Sequence, residues 1–231
     1  VVAATRADMV EEATQRWIAA RETGQVPVLL AGTNDLVDAL NQSVRRSLTH
    51  NGALTGEVVA RFGGRDYIAG DRVVLRRNSY NVATTAGTQA AVLNGQTGTV
   101  TGGSDHHLDI VLDNDHGTVR LDDAYLAAGH VDHGYALTTH RAQGGTWDIA
   151  IAVGADGLYR EAAYVQLSRG AESNWLIVTA PEMDEIDTEL ARHDHGIPLP
   201  AEEPDDLETQ LHRQLQRSRA KLLALAQDPH A

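Results

Sequence analysis

His133-Gly134-Tyr135-Ala136-Leu137-Thr138-Thr139-His140-Arg141-Ala142-Gln143-Gly144-Gly145-Thr146, with Tyr164-Val165-Gln166-Leu167-Ser168-Arg169-Gly170 downstream, is the stretch whose reading decides the fold. Tyr135 to Leu137 is an apolar run too brief for a helix of its own. Thr138 to Thr146 is polar and Gly-rich, the pattern of a strand end opening into a loop. Ile149 to Val153 then reads as the next strand. The Gly144-Gly145 pair allows close backbone approach to a ligand, because no Cβ intervenes. Gln143 can donate and accept, and Thr138, Thr139 and Thr146 add hydroxyls. Such a kit suits sugar-phosphate contact and nucleotide sensing. A polar β-turn without a ligand fits the same spacing.

The second block has helical apolar spacing at Leu158, Ala162, Val165 and Leu167, and ends at Ser168-Arg169-Gly170. Trp175 to Val178 follows as a strand. An Arg beyond a helix end, before a Gly, can be aimed out of the body. Permanent charge and several donors suit it to transition-state charge on a γ-phosphoryl group. The plain alternative is a surface Arg favoured by the helix dipole.

Taken together, the two blocks resemble motifs V and VI of superfamily-1 helicases. The resemblance points to the branch of RecD-like helicases and the helicase half of TraA/TrwC-type (MobF) conjugative relaxases. Thr138, His140, Gln143 and Gly144 match a Thr-x-His-Lys-x-Gln-Gly pattern. Arg141 replaces its lysine, keeping the charge but offering a planar fork. Thr146 stands where RecD-like helicases often carry Glu, which favours the relaxase branch. Tyr-Val-x-Leu-Ser-Arg-Gly about 20 residues after Gln-Gly-x-Thr makes two ordered motifs at family spacing. The resemblance implies that Arg169 is an arginine finger, with Gln143 as its catalytic companion. It implies nucleotide contacts from Gly144, Arg141 and Arg169. It implies DNA contacts from Thr138, Thr139, His140 and Thr146.

Working outward, Asp8 to Ala20 reads as an amphipathic helix with Met9, Val10, Ala13, Trp17 and Ala20 on one side. Thr5 is its expected N-cap and Gly24 its stop. Val26 to Ala31 is a short buried strand. Gly32-Thr33-Asn34-Asp35 opens a helix carrying Leu36, Val37, Leu40, Val44 and Leu48. This strand-turn-helix unit belongs in a parallel α/β domain. A Thr-Asn turn at a helix N-terminus presents free N–H groups to a phosphate. Ordinary capping by Asn34 or Asp35 is the competing account. In the family this segment looks like the start of the second RecA-like domain, so Thr33 and Asn34 join the expected DNA face.

From Gly56 the pattern changes. Residues 58–62, 71–76, 97–101, 108–112 and 117–121 are short β-like runs separated by Gly, Asn and Asp turns. They predict a small inserted β-barrel. Asn78-Ser79-Tyr80-Asn81 and Leu93-Asn94-Gly95-Gln96-Thr97-Gly98 resemble the SH3-like insertion of RecD-like helicases, which adds Asn78 and Asn94 to the DNA contacts. Asn94-Gly95 is a tight-turn signal regardless of family. Arg61, Arg65, Arg72, Arg76 and Arg77 face only Glu57, Asp66 and Asp71 within 57–80, so a mildly basic barrel is expected.

The chain has 231 residues, 42% of them apolar, with no Cys and a net charge of -13. That charge is unlike a nucleic-acid protein until its distribution is examined. Residues 181–208 hold eleven acids against the single base Arg192, so all but three of the thirteen net negative charges lie there. Charge must therefore be read locally. Ile197-Pro198-Leu199-Pro200 and Pro204 mark a linker. Leu207, Leu211, Leu215, Leu222 and Leu225 then give a helix with a Leu stripe. His106, His107, His116, His130, His133 and His140 lack compact zinc spacing and Cys support, so no metal site is expected. No apolar run reaches membrane-spanning length.

The expected fold is α/β, a RecA-like (P-loop NTPase type) parallel-sheet domain with an inserted SH3-like β-barrel and a C-terminal helical tail. The expected units are 1–56 and 125–180 for the RecA-like domain, 57–124 for the insertion and 181–231 for the acidic linker and tail. The chain opens without Met and carries no Walker A loop, so it is expected to be a piece of a longer protein. Its expected partners are single-stranded DNA and an upstream RecA-like domain that holds ATP and Mg2+, in the cytoplasm and away from membranes. The resemblance implies an ATP-dependent DNA helicase moving 5′ to 3′. A degenerate helicase domain kept as a binding or assembly module is the alternative, and a solitary nucleic-acid-binding barrel is a third.

Overall fold

The computed structural model describes residues 1–113, 117–154 and 160–179. The acidic linker, the Leu-striped helix, His116 and Leu158 lie outside them. In chain order the elements are β1 (Val2–Ala3), α1 (Arg6–Glu22), β2 (Pro27–Ala31), α2 (Asn34–His50), β3 (Val58–Phe62), β4 (Arg65–Ile68) and β5 (Arg72–Leu75). Next come β6 (Ser79–Thr84), β7 (Gln89–Val92), β8 (Thr97–Ser104), β9 (His107–Leu112), β10 (Thr118–Asp122) and α3 (Asp123–Ala127). The chain continues through β11 (Val131–His133), β12 (Ala136–Thr138), β13 (Trp147–Val153), α4 (Arg160–Leu167) and β14 (Gly170–Thr179). Among the described residues no helix is long and apolar enough to cross a membrane.

The architecture is mixed α/β. A five-stranded sheet in the order β1-β14-β13-β2-β12 is parallel throughout. Its central strands are apolar on both sides, as strands buried on two faces must be. Leu29, Ala31, Ala136, Ile151, Val153 and Ile177 pack against Met9, Trp17, Leu36, Leu40 and Val44 of α1 and α2. The alternate positions Val28, Leu30, Leu137 and Ala150 pack against Ala142 and against Val74 of β5.

The first long helix is capped as the sequence suggests. Thr5 Oγ1 accepts from Asp8 N, and the last turn of α1 gives way to Gly24 at φ +84°. The cap of α2 differs from the expected Asn34 or Asp35. Thr33 takes the extended cap conformation and its side chain accepts from Leu36 N, which leaves Asn34 as the first helical residue. A Thr hydroxyl reaches the donors of the first turn as well as an Asx side chain does.

The inserted segment forms a seven-stranded antiparallel sheet, β11-β5-β8-β9-β10-β6-β7, with the β3–β4 hairpin beside it. Tyr67, Val73, Leu75, Val100, Leu108, Ile110 and Leu121 are its core. Leu93 to Gln96 makes the expected tight turn, with Gln96 N donating to Leu93 O and Gly95 at φ +90°. The mildly basic surface expected of the insertion is largely neutralised. Arg61 pairs with Asp66, Arg65 with Asp38 and Asp132, Arg72 with Asp113, and Arg76 with Asp132. Most of these carboxylates lie outside the window 57–80, where a local count cannot see them.

One joint fixes the insertion to the parallel sheet. Asp71, fully buried, accepts from Arg45 Nε of α2 (2.9 and 3.2 Å), from the Tyr135 hydroxyl (2.8 Å) and from Ile68 N (2.7 Å). Burial, and then the Asp71 charge beside it, raises the Tyr135 phenol well above its ordinary pKa, so it stays a donor. Beside it the chain crosses from β11 to β12 at Gly134. A Cβ there would lie 2.6 Å from the Val73 carbonyl carbon, so only Gly lets the backbones pass. Asn41 closes the joint from α2, accepting from Tyr135 N and Ala136 N at 2.9 Å each.

Candidate functional site

Strand register places Thr138 of the first block and Gly170 of the second at opposite ends of the sheet. Thr138 pairs with Ala31, which pairs in turn with Val153, at the C-terminal ends of the strands. Gly170 pairs with Trp147 at the N-terminal ends. The segment 139–146 runs from one end to the other.

At the C-terminal ends, Thr139 donates to Ala31 O through both its backbone N (3.1 Å) and its Oγ1 (3.3 Å). Ala31 leads into Gly32, Thr33 and Asn34, so these candidates and Thr139 are brought together. The Gln166 amide nitrogen of α4 donates to Thr139 Oγ1. That hydroxyl has already spent its proton on Ala31, so only its lone pairs remain for the amide. Gln166 is 2% exposed, and its Oε1 has no hydrogen-bond partner.

Beyond Thr139 the backbone coils tightly. Thr138 O accepts from Arg141 N and Ala142 N, His140 O accepts from Gln143 N, and Ala142 O accepts from Gly145 N. Gly144 takes φ +83°, where L side chains are strained, and Gln143 and Gly144 are exposed. A Cβ on Gly145 would lie 2.2 Å from the Trp147 ring, so the second Gly serves packing.

The N-terminal end belongs to Arg169. Its Nε donates to Val165 O (2.9 Å), Nη1 to Gly145 O (3.2 Å) and Nη2 to Ser168 Oγ (3.0 Å). The Arg169 carbonyl accepts from Trp147 N. Asn174 brackets Gly170, accepting from its N and donating to its O. Candidates Gly144, Arg141 and Arg169 are thus linked through one turn. Thr146 lies with Trp147 and Arg169, away from Thr33 and Asn34.

Asn78 and Asn94 are joined to each other and lie against the 139–146 segment. Asn94 N donates to Asn78 Oδ1 at 2.7 Å, and a Cβ on Gly95 would sit 3.6 Å from Arg141 O. His140 is exposed. Arg141 is half-buried, and burial followed by the nearby Arg76 charge lowers its pKa, although a guanidinium stays charged. No group of His, Asp or Glu among the described residues is arranged to hold a metal ion.

Sequence reasoning passed over Gln166, Asn174 and Trp147. Gln166 carried a signal, being polar within the apolar phase of its helix. Asn174 carried none, because its role is to the backbone of Gly170.

These elements define a mixed α/β domain built on a parallel sheet, with the two sequence blocks meeting around the 139–146 segment. Over 171 residues the chain is 29% identical to the conjugal transfer protein TraA of Agrobacterium fabrum, covering 72% of this chain and 15% of TraA. The chain therefore spans a small part of that relative. The likeness supports the resemblance to a helicase-like relaxase domain carried by the two motif blocks. Among solved structures the chain is similar to the Pif1 helicase from Candida albicans, at 15% identity and TM-score 0.46, covering 82% of this chain and 58% of that one. It is also similar to the Bacteroides Pif1 helicase in complex with ADP-AlF3 and ssDNA, at 18% identity and TM-score 0.43, covering 82% and 50%. No protein-family model matches the chain.

Proposed function

We propose that this chain is the second, RecA-like motor domain of an ATP-dependent DNA helicase of the conjugative relaxase kind. It supplies the arginine finger and part of the single-stranded DNA face, and the insertion is its SH3-like barrel. The observation that carries this reading is the bond from Arg169 Nη1 to Gly145 O, which ties the finger to the motif V segment. ATP and Mg2+ supply the phosphoryl chemistry when bound, held in this proposal mainly by an upstream RecA-like domain. Arg169, Gln143 and the exposed backbone at Gly144 fit contact with a phosphoryl group from one side.

The residues here suggest how the two ends communicate. The present acceptors of Arg169 are neutral oxygens. A phosphoryl oxygen is a stronger acceptor, because charge-assisted bonds are roughly twice as strong. Arg169 therefore exchanges Gly145 O for it by side-chain rotation. That frees the Gly145 carbonyl near one end of the 139–146 segment, whose other end holds Ala31 next to Thr33 and Asn34. DNA grip and finger position are coupled through this one stretch of backbone.

Two outcomes test the reading on the chain itself. Residues 1–231 alone should show no DNA-stimulated phosphate release, because no Walker lysine holds the β- and γ-phosphates. Robust turnover abolished by Arg169→Ala would contradict this division of labour. The chain should also bind single-stranded DNA weakly and with steep salt dependence, since contacts are to phosphates. Truncation after residue 180 removes seven of the thirteen net negative charges and should tighten binding at low salt. Coincident titrations would show that the tail does not compete. Failure to bind DNA at any salt would favour the assembly-module alternative.

A further inference from the structure

Exposed aromatic rings are few here, since aromatics make up 4% of the chain. Trp175 is exposed but Arg16 stacks on it, 4.1 Å from the ring centre, and Tyr164 belongs to the motif VI helix. Tyr80 of β6 is different. It is 67% exposed, and among the described residues no aromatic or cationic group stacks on its ring. Asn78 Nδ2 donates to its hydroxyl at 3.4 Å, holding the ring by its polar edge. Leu93, 45% exposed, follows Val92, the residue paired with Ser79 across β6 and β7.

The surroundings favour an anionic, base-bearing occupant. Arg77 has no carboxylate partner among the described residues, and its Nη1 lies 3.3 Å from His130 Nε2. Arg141 likewise forms no ion pair there. Arg76 and Arg65 share Asp132, and Arg65 also reaches Asp38. The platform is continuous with motif V, because Asn78 accepts from Asn94 N and Gly95 lies against Arg141. A strand leaving Thr139 and His140 would pass Arg141 and the Asn94-Gly95 turn before reaching Tyr80.

We propose that the Tyr80 face is a stacking platform for a base of single-stranded DNA, with Arg77 and Arg141 taking the flanking phosphates. This rests on the DNA-binding reading above and adds to it a contact to a base. An aromatic face tolerates any base, since every base has a π-face. Arg77, Arg141 and the exposed side-chain amide of Asn94 suit sugar-phosphate better than an apolar peptide.

The test is fluorescence anisotropy of the full chain with a labelled oligodeoxythymidylate and with an abasic oligomer of equal length, at low salt. Tyr80→Ala should weaken binding to the normal oligomer by roughly 5- to 150-fold, the span of single stacking contacts. Tyr80→Phe should stay within about 2-fold of the parent, because the ring face and not the hydroxyl does the binding. The parent should bind the abasic oligomer about as weakly as Tyr80→Ala binds the normal one. Unchanged thermal unfolding of Tyr80→Ala, expected for so exposed a side chain, separates lost contact from lost fold. If Tyr80→Ala binds as the parent does, or if the parent does not distinguish the abasic oligomer, the platform is overturned while the DNA face stands. If the parent binds neither oligomer, both readings fall.

Discussion

Arg169→Ala, in a protein joining this chain to its proposed upstream RecA-like domain, is expected to lower DNA-stimulated ATP turnover by about 10³-fold, the lower end for arginine fingers. Nucleotide affinity should change only a few-fold. In the proposed role Arg169 meets charge that develops as the γ-phosphoryl group loosens, so its loss falls on the rate and spares the ground state. Arg169→Lys should rescue poorly, because a point charge cannot span two oxygens. Arg169→Ala also deletes bonds to Val165 O, Gly145 O and Ser168 Oγ. Hydrogen bonds are worth roughly 0.5–1.5 kcal/mol each, so thermal unfolding must accompany the kinetics. Arg61, exposed and paired with Asp66 on the β3–β4 hairpin, is the control. Steady-state ATPase at saturating single-stranded DNA, with nucleotide-analogue binding, decides the matter. Near-parental turnover in Arg169→Ala, or an equal loss in Arg61→Ala, would remove the finger assignment.

Asp71→Ala is expected to cost about 3–5 kcal/mol of stability, the usual result of breaking a buried ion pair from one side. Asp71 is 0% exposed, so water cannot replace it. The change strands the Arg45 guanidinium and leaves the Tyr135 hydroxyl and Ile68 N without their acceptor. In a domain of this size each kcal/mol shifts Tm by roughly 2–4 °C, so a fall of about 6–20 °C should appear in a thermal scan. Arg45→Met should also destabilise, and the double variant should lose less than the sum, because neither charge is then left alone. A Tm within about 2 °C of the parent for Asp71→Ala would show that the joint does not carry this load.

Legibility followed the range of the interactions. The two long helices, the strand at 149–153 and the strand-to-loop change at Thr138 were readable, because apolar period and turn chemistry are local signals. β4, β6 and β7 were not read as strands. β6 buries only Val82 of its six residues, so it shows no alternation, and its pairing with β7 shifts register. The motif residues were readable as a pattern, whereas their arrangement was not. Nothing in the sequence says that Gln166 reaches Thr139, or that the Arg169 guanidinium rests on Gly145 O. Asp71 falls in the β-like run 71–76 with no sign of its role, because its partner Arg45 stands 26 positions earlier in a helix that gives no hint of it. The arginines of the insertion misled for the same reason: Asp113 and Asp132 meet them from later in the chain.

Placing the insertion between β2 and β12 also dictates an order of assembly. Ala31 and Thr139 touch across 108 positions, so the central strand must wait for partners that emerge only after the insertion. Such distant pairings are slow to form, since chain closure must be achieved before any contact rewards it. Within the insertion, β8, β9 and β10 pair with immediate neighbours and can form early. Once folded, that unit brings Gly134 back beside Val73 and replaces a long slack loop by a short rigid one. During synthesis Pro27–Ala31 has no sheet partner, and an apolar strand in that condition invites association with other chains. α1 and α2, complete early and packed on one face of it, shield half of that strand until Ala136–Thr138 and Trp147–Val153 arrive.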